Sequence, residues 1–161
     1  MPEVASKSRV IRVKMAGVDF AEADDLLDTL LGSCVGIALW DRRAKRGGLA
    51  HVVLPDSRGV NQLPGKFADT AVDELKRHLL AMGSSPSALV AKIAGGATMF
   101  GKRSDRDVGE KNHRAVLEHL RRHGIRCIAE DIGGDKGRMI RFSPADGTVT
   151  VSIARQVVRV L

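Results

Sequence analysis

Residues 35–54 read VGIALW, DRRAKRGG, LAHVVL: two apolar runs separated by a charged, glycine-ending segment. Short apolar runs bounded by turn residues are the mark of buried strands, and two around one turn region make a β-hairpin. Aspartate is favoured at the first position of a type I turn, which sets the reversal at Asp41-Arg42-Arg43-Ala44. The hairpin centre then falls between Arg42 and Arg43, and Cys34 stands directly opposite His51. Facing residues share one side of a sheet, with Cβ atoms roughly 4.5–5.5 Å apart. A bulge at Gly47-Gly48 would shift this register by one place and separate the pair.

Outward from the hairpin, the patterning alternates strands and helices. Arg9–Met15 alternates charged and apolar residues as a half-exposed strand does, whereas 20–28 is acidic and mixed. Lys66–Met82 reads as a helix, with Phe67, Ala71, Leu75 and Leu79 on one stripe and Gly83 as its stop. A second helix covers Glu110–His123, stopped by Gly124. Strands are expected at Leu89–Ala94, Ile125–Glu130, Met139–Phe142, Thr148–Ala154 and Val157–Val160, with Asp146-Gly147 as a hairpin turn. The expected fold class is α+β: a single domain over 9–161, preceded by a flexible segment 1–8. Its β-sheet layers are mixed or antiparallel, and two main helices pack against them.

Composition narrows the function. The chain has 161 residues, 43% of them hydrophobic, and a formal net charge of +7. That balance excludes a disordered polyelectrolyte, and no apolar run approaches the roughly 18 residues of a spanning helix. The first ten residues, MPEVASKSRV, hold no apolar stretch of the secretory kind, and Cys34 and Cys127 alone make no disulfide framework. A reducing cytoplasm is the expected home. With one Trp, four Phe and no Tyr, the positive charge comes without the stacking platform of single-strand nucleic-acid binders.

A thiol beside an imidazole has chemical meaning. The thiolate is the nucleophile, and a histidine that takes the thiol proton activates it. Gly32 permits a tight turn before Cys34, and backbone N–H groups near Ser33 could serve an oxyanion. The structural alternative is a buried cysteine at the start of a core strand with a histidine on its neighbour.

The same residues carry a family resemblance. Leu31-Gly32-Ser33-Cys34-Val35, followed by Ala50-His51-Val52-Val53-Leu54-Pro55, resembles the CheD family of chemoreceptor glutamine deamidases. The similarity continues through Lys66–Asp69, Ala91–Ala97 with Met99-Phe100, Gly109–Asn112, and Glu130–Gly134 with Gly137-Arg138. These blocks lie in order across roughly residues 10–155. The resemblance implies a cysteine hydrolase that converts chemoreceptor glutamines to glutamates, with glutamate methylester hydrolysis as a further activity. Its catalytic cysteine and histidine fall on Cys34 and His51. A third family residue is a threonine shortly before the cysteine; Thr29 stands one place off the expected spacing, and Asp28 occupies that position. The resemblance requires neither a metal nor an organic cofactor. Its implied partners are the cytoplasmic helices of methyl-accepting chemoreceptors as substrate, in receptor arrays at the membrane, and a CheC-type phosphatase. A non-catalytic adaptor binding that phosphatase is the alternative within the family, and a basic nucleic-acid module the alternative outside it.

Other signals are set aside on chemical grounds. Gly96–Lys102 (GATMFGK) nearly spells a phosphate loop, but Arg103 replaces the hydroxyl residue, and Lys102–Asp107 reads as a loop where the motif needs a helix. His119 and His123, four apart, lack further ligands nearby and suit a helix C-terminus as cations. His78 is read as a surface residue, Cys127 as a core thiol, and His113 as near the site without chemistry. The basic clusters are Arg42-Arg43-Lys45-Arg46, Lys102-Arg103-Arg106, Arg121-Arg122 and Lys136-Arg138-Arg141. They make either a solvated surface or a rim that steers the enzyme to an acidic protein substrate.

Overall fold

The structure is a computed structural model, which describes residues 8–60, 62–99 and 103–161, with side chains of the last segment from 108 onward. Its strands, in chain order, are β1 (Val10–Arg12), β2 (Val18–Glu22), β3 (Leu26–Leu31), β4 (Val35–Asp41), β5 (Arg46–Val52), β6 (Leu89–Gly95), β7 (Arg126–Ile132), β8 (Arg138–Phe142), β9 (Val149–Ile153) and β10 (Gln156–Val160). Its helices are α1 (Ala68–Ala81) and α2 (Arg103–Arg122).

Among the described residues, ten strands form two mixed sheets of five. One runs β1-β3-β8-β9-β10 and the other β2-β5-β4-β6-β7, with β1/β3 and β6/β7 the parallel pairs. Alternation along each strand sends one set of side chains to each face. Leu27 and Leu31 of β3, Ile140 and Phe142 of β8, and Val149 and Val151 of β9 meet Ala38, Leu49 and Ala94 of the other sheet in a buried layer. The opposite face of that second sheet presents Val35, Ile37, Leu39, Ala50 and Val52 to Ala71, Leu75 and Leu79 of α1 and Val116 and Leu120 of α2. The order of layers is therefore sheet, sheet, helices. This is the α+β single domain with mixed sheets and two helices that the patterning predicts.

The sequence reading misses β2 and β3. Glu22, Asp24, Asp25 and Asp28 make 20–28 acidic and mixed, without the alternation of a strand, yet the acids have specific places. Asp25 accepts from the backbone and side chain of Arg9, and buried Asp28 accepts from Arg12 at 2.6 Å. A charge can occupy a central strand only when it is paired, and Arg12 and Arg141 from the flanking strands do the pairing.

The hairpin register also differs. Asp41 is the last residue of β4, not the first of the turn. It faces Arg46 across a four-residue loop, with Lys45 at φ 54°. The Asp41 carboxylate accepts the N–H groups of Arg43 and Ala44, each at 2.9 Å, and its carbonyl accepts that of Lys45. The longer loop moves the register two residues along the partner strand, so His51 faces Gly36 and not Cys34. No bulge interrupts Gly47-Gly48. Both glycines leave room for neighbours, since a Cβ would lie 2.7 Å from Phe142 at Gly47 and 2.7 Å from Leu75 at Gly48.

Helix α1 keeps the expected stripe. Helix α2 begins at Arg103, so 103–107 is helical where a loop is expected. That segment carries no apolar residues at helical spacing, and patterning detects only a buried face. Phe100, Gly101 and Lys102 of the near-phosphate motif lie outside the described residues, as does most of the 1–8 segment. Among the described residues, no helix is long and apolar enough to cross a membrane.

Candidate active site

A two-residue shift in register preserves the face, so Cys34, Gly36 and His51 still point to the same side of their sheet. Cys34 lies diagonal to His51, one step along from directly opposite. Both side chains enter the layer between the sheets, where Cys34 is 9% exposed and His51 4%. Gly36 matters at this point. A Cβ there would stand 2.8 Å from Ile140 Cδ1 and 3.1 Å from Leu31 Cδ1, so its absence lets the two sheets close together beside His51.

Across that narrow gap comes β3. Thr29 Oγ1 lies 2.8 Å from His51 Nδ1 and 2.8 Å from the Val13 carbonyl, which it donates to. A hydroxyl has one hydrogen. With that hydrogen given to Val13, Thr29 can only accept from His51, which places the imidazole proton on Nδ1. His51 Nε2 is then a bare acceptor, and it is buried with no hydrogen-bond partner among the described residues. An unmet buried acceptor is uncommon in folded proteins and calls for an explanation. It also means that the Cys34 thiol is not bonded to His51 at rest. Burial pushes the Cys34 thiol above its ordinary pKa and His51 below its own, so both are neutral at pH 7.

Asp28, the neighbouring candidate, points to the other face of β3 and is occupied by Arg12 and Arg141. Thr29 alone of the two reaches His51.

The Cys34 loop is pinned carbonyl by carbonyl. The Gly32 carbonyl accepts from Ala97 N at 3.0 Å, that of Ser33 from Asn112 Nδ2 at 3.4 Å, and that of Cys34 from Gly96 N at 2.9 Å. Gly95 makes this possible. It sits at φ 113°, and a Cβ there would fall 2.1 Å from the Cys34 carbonyl oxygen. The carbonyls of the loop are thereby engaged on three sides.

The other residues singled out from the sequence make contacts of their own, and Cys127, expected in the core, is only half-buried. His113 Nε2 meets Glu130 at 3.2 Å, and Cys127 is half-buried on β7 with its thiol pushed up to about 11, first by burial and then by Glu130. His78 stacks on Phe20, with ring centroids 4.0 Å apart. Arg42 and Arg43 hold Ser87 and Ala88 at the far end of the hairpin, and Arg121 and Arg122 pair with Glu118. Arg138 bonds Asp131 and the carbonyls of Gly133 and Lys136. These arginines bond carbonyls and carboxylates of their own chain; of Lys102-Arg103-Arg106 the side chains are outside the described residues. Asn112 is the site residue to which the sequence reading assigned no chemistry. Its signal was a polar residue on the apolar stripe of α2, one turn before Val116 and two before Leu120.

Comparison with known proteins gives the same answer along most of the chain. The CheD family, described as CheD chemotactic sensory transduction, matches residues 53–153. A relative from Methanococcus vannielii, named a probable chemoreceptor glutamine deamidase CheD, is 47% identical over 150 residues, covering 92% of this chain and 97% of its own. Relatives of the same name from Methanococcus maripaludis and Desulforamulus reducens are 48% and 43% identical, covering 88% and 92% of this chain and 94% and 93% of their own. With relatives this similar spanning nearly their whole length, the chain belongs to the CheD family.

Proposed function

We propose that this protein is a chemoreceptor glutamine deamidase in which Cys34 is the nucleophile, His51 the general base and acid, and Thr29 the residue that orients His51. The names of its relatives support the reaction class. The observation that carries the mechanism is the buried, unpartnered His51 Nε2, left free because Thr29 holds Nδ1–H.

When a glutamine side chain enters, His51 Nε2 takes the Cys34 proton and the sulfur attacks the amide carbon. The amide oxygen becomes an oxyanion, for which the N–H groups of the Gly32-Ser33-Cys34 loop are the available donors. Collapse expels ammonia, which receives the proton from His51, and leaves a thioester on Cys34. Water then attacks the thioester carbon while His51 accepts its proton. Collapse returns that proton from His51 to the departing sulfur, and the released glutamic acid gives its remaining proton to solvent to become the carboxylate. No step calls on a metal or organic cofactor.

On this reading the substrate is the cytoplasmic helical part of methyl-accepting receptors, so the protein works at membrane receptor arrays, and a CheC-type phosphatase is a partner whose binding lowers turnover. The nucleic-acid alternative gains nothing from arginines that are tied to carbonyls and carboxylates. The test is incubation with receptor cytoplasmic fragments, mass mapping of glutamine-to-glutamate conversion, and an ammonia assay. Cys34→Ala should abolish both signals; retained ammonia release by this variant would overturn the assignment.

A further inference from the structure

Helix α2 spends a core position on an amide. Its buried stripe runs Gly109, Asn112, Val116, Leu120, spacings that place all four on one face. Asn112 has no exposed surface at all. At Gly109 the helix presses against the turn that holds Cys34: a Cβ on Gly109 would stand 2.7 Å from the Gly96 carbonyl, and Gly96 N is the donor to the Cys34 carbonyl. One turn later, Asn112 Nδ2 donates to the Val53 carbonyl at 2.9 Å and to the Ser33 carbonyl at 3.4 Å. Those two acceptors flank the chemistry. Ser33 precedes Cys34, and Val53 follows His51 by two residues.

Asn112 Oδ1 is buried and accepts from no group among the described residues. The side chain is therefore oriented by its two donor contacts alone. A leucine would fill the position without the cost of an unmet buried acceptor. The amide is explained if joining the two carbonyls is its purpose.

We propose that Asn112 is a positioning residue that fixes the Cys34 loop relative to the His51 strand and so sets the path along which the thiol proton reaches His51. The inference rests on the Cys34–His51 reading. It goes beyond it in placing control of their spacing on α2, a helix that contributes neither group. The diagonal placement of Cys34 and His51 is what needs this control. Directly opposite residues are held by the ladder itself, whereas a residue just outside the strand is held by its loop.

The test uses the full chain with Asn112→Asp, Asn112→Ala and His51→Ala. Asn112→Asp keeps the shape but turns an oxygen toward two carbonyl oxygens, and Asn112→Ala serves if the buried carboxylate prevents folding. Three quantities are read: kcat and KM for ammonia release from receptor fragments, the pH profile of Cys34 alkylation by iodoacetamide (with peptide mapping to separate Cys127), and the thermal midpoint. The expected result is a fall in kcat of roughly 10²-fold with KM little changed, as misplacement of a reacting group produces. The alkylation profile of the Asn112 variants should coincide with that of His51→Ala. Variants that melt lower yet keep the unaltered kcat and alkylation profile would show a purely structural residue and overturn the proposal. If His51→Ala itself leaves the alkylation profile unchanged, the Cys–His reading falls, and this inference with it.

Discussion

Thr29 and His51 lie on different sheets, yet their side chains meet at 2.8 Å, and the second contact of Thr29 with the Val13 carbonyl dictates which way the proton points. On the proposed mechanism a neutral hydroxyl here does what a carboxylate does in other triads. It fixes the tautomer without placing a negative charge beside a buried ring. Thr29→Val keeps the shape and removes the oxygen. Turnover should fall roughly 10²-fold, the scale on which acid–base catalysis contributes, while Thr29→Ser retains most of it. Steady-state ammonia release from a receptor fragment measures both. Equal activity of the valine variant and the unaltered chain would remove Thr29 from the mechanism.

The pH dependence has a definite sign. His51 must be neutral to accept a proton, and burial lowers its pKa from the ordinary value of about 6.5. The acid limb of kcat/KM should therefore lie below pH 6.5, with full activity at pH 7. Burial raises the thiol, so free thiolate does not set the rate in this range. The same shift enters stability. Between the lowered folded value and 6.5 the unfolded chain binds the proton that the folded one refuses, so stability declines as pH falls below 6.5. A pH–rate profile and melts at several pH values check both; an acid limb above 6.5 would contradict the burial argument.

Asp28 gives the opposite pattern to Thr29. Its carboxylate is 2% exposed and accepts from Arg12, with Arg141 at 3.5 Å, on the face of β3 turned from His51. Asp28→Asn should cost about 1–3 kcal/mol of stability, the range for a buried group deprived of a charged partner. Turnover per folded molecule should stay within a few-fold. Denaturant unfolding beside the ammonia assay separates the two effects. A loss of turnover as large as that of Thr29→Val, without loss of stability, would reverse their roles.

The closeness of the sheets can be tested at Gly36. Adding a methyl there brings a Cβ to 2.8 Å from Ile140 Cδ1, which overpacks the interface by an amount usually worth about 1–3 kcal/mol. Gly36→Ala should lower both stability and turnover by easing the sheets apart at His51, and adding Ile140→Val, which removes the opposing methyl, should recover part of each. A double-mutant cycle on melting and kcat reads the coupling; strict additivity would mean that the contact does not govern the site.

These particulars show where the sequence was legible. Apolar runs gave the hairpin, and α1 and the C-terminal turns of α2 announced themselves by their stripes, because burial leaves a periodic trace. β3, with leucines on both faces and Asp28 in its middle, left no alternation. Its acid is satisfied by arginines distant in sequence, a pairing no local pattern contains. The hairpin register failed because a two-residue loop extension follows from how one carboxylate is hydrogen-bonded. The face survived because a shift of two keeps alternation intact, and for that reason Cys34 and His51 still share a layer. Thr29 could be named only by resemblance, with Asp28 beside it, since adjacent residues on a strand differ in face, and face is fixed by the partner sheet.

The division of the site between two sheets bears on the order in which the molecule is made. Cys34 and His51 lie early in the chain and belong to one hairpin. Thr29 is held in its sheet by β8, where Leu31 pairs with Arg138 and Thr29 with Ile140, residues translated long afterwards. A nascent chain thus carries Val13, Thr29, its thiol and its imidazole well before β8 arrives to pair with the Thr29 strand. On the proposed mechanism every reacting group is made early, and what the C-terminal strands add is the rest of the sheet that packs Thr29 against the hairpin.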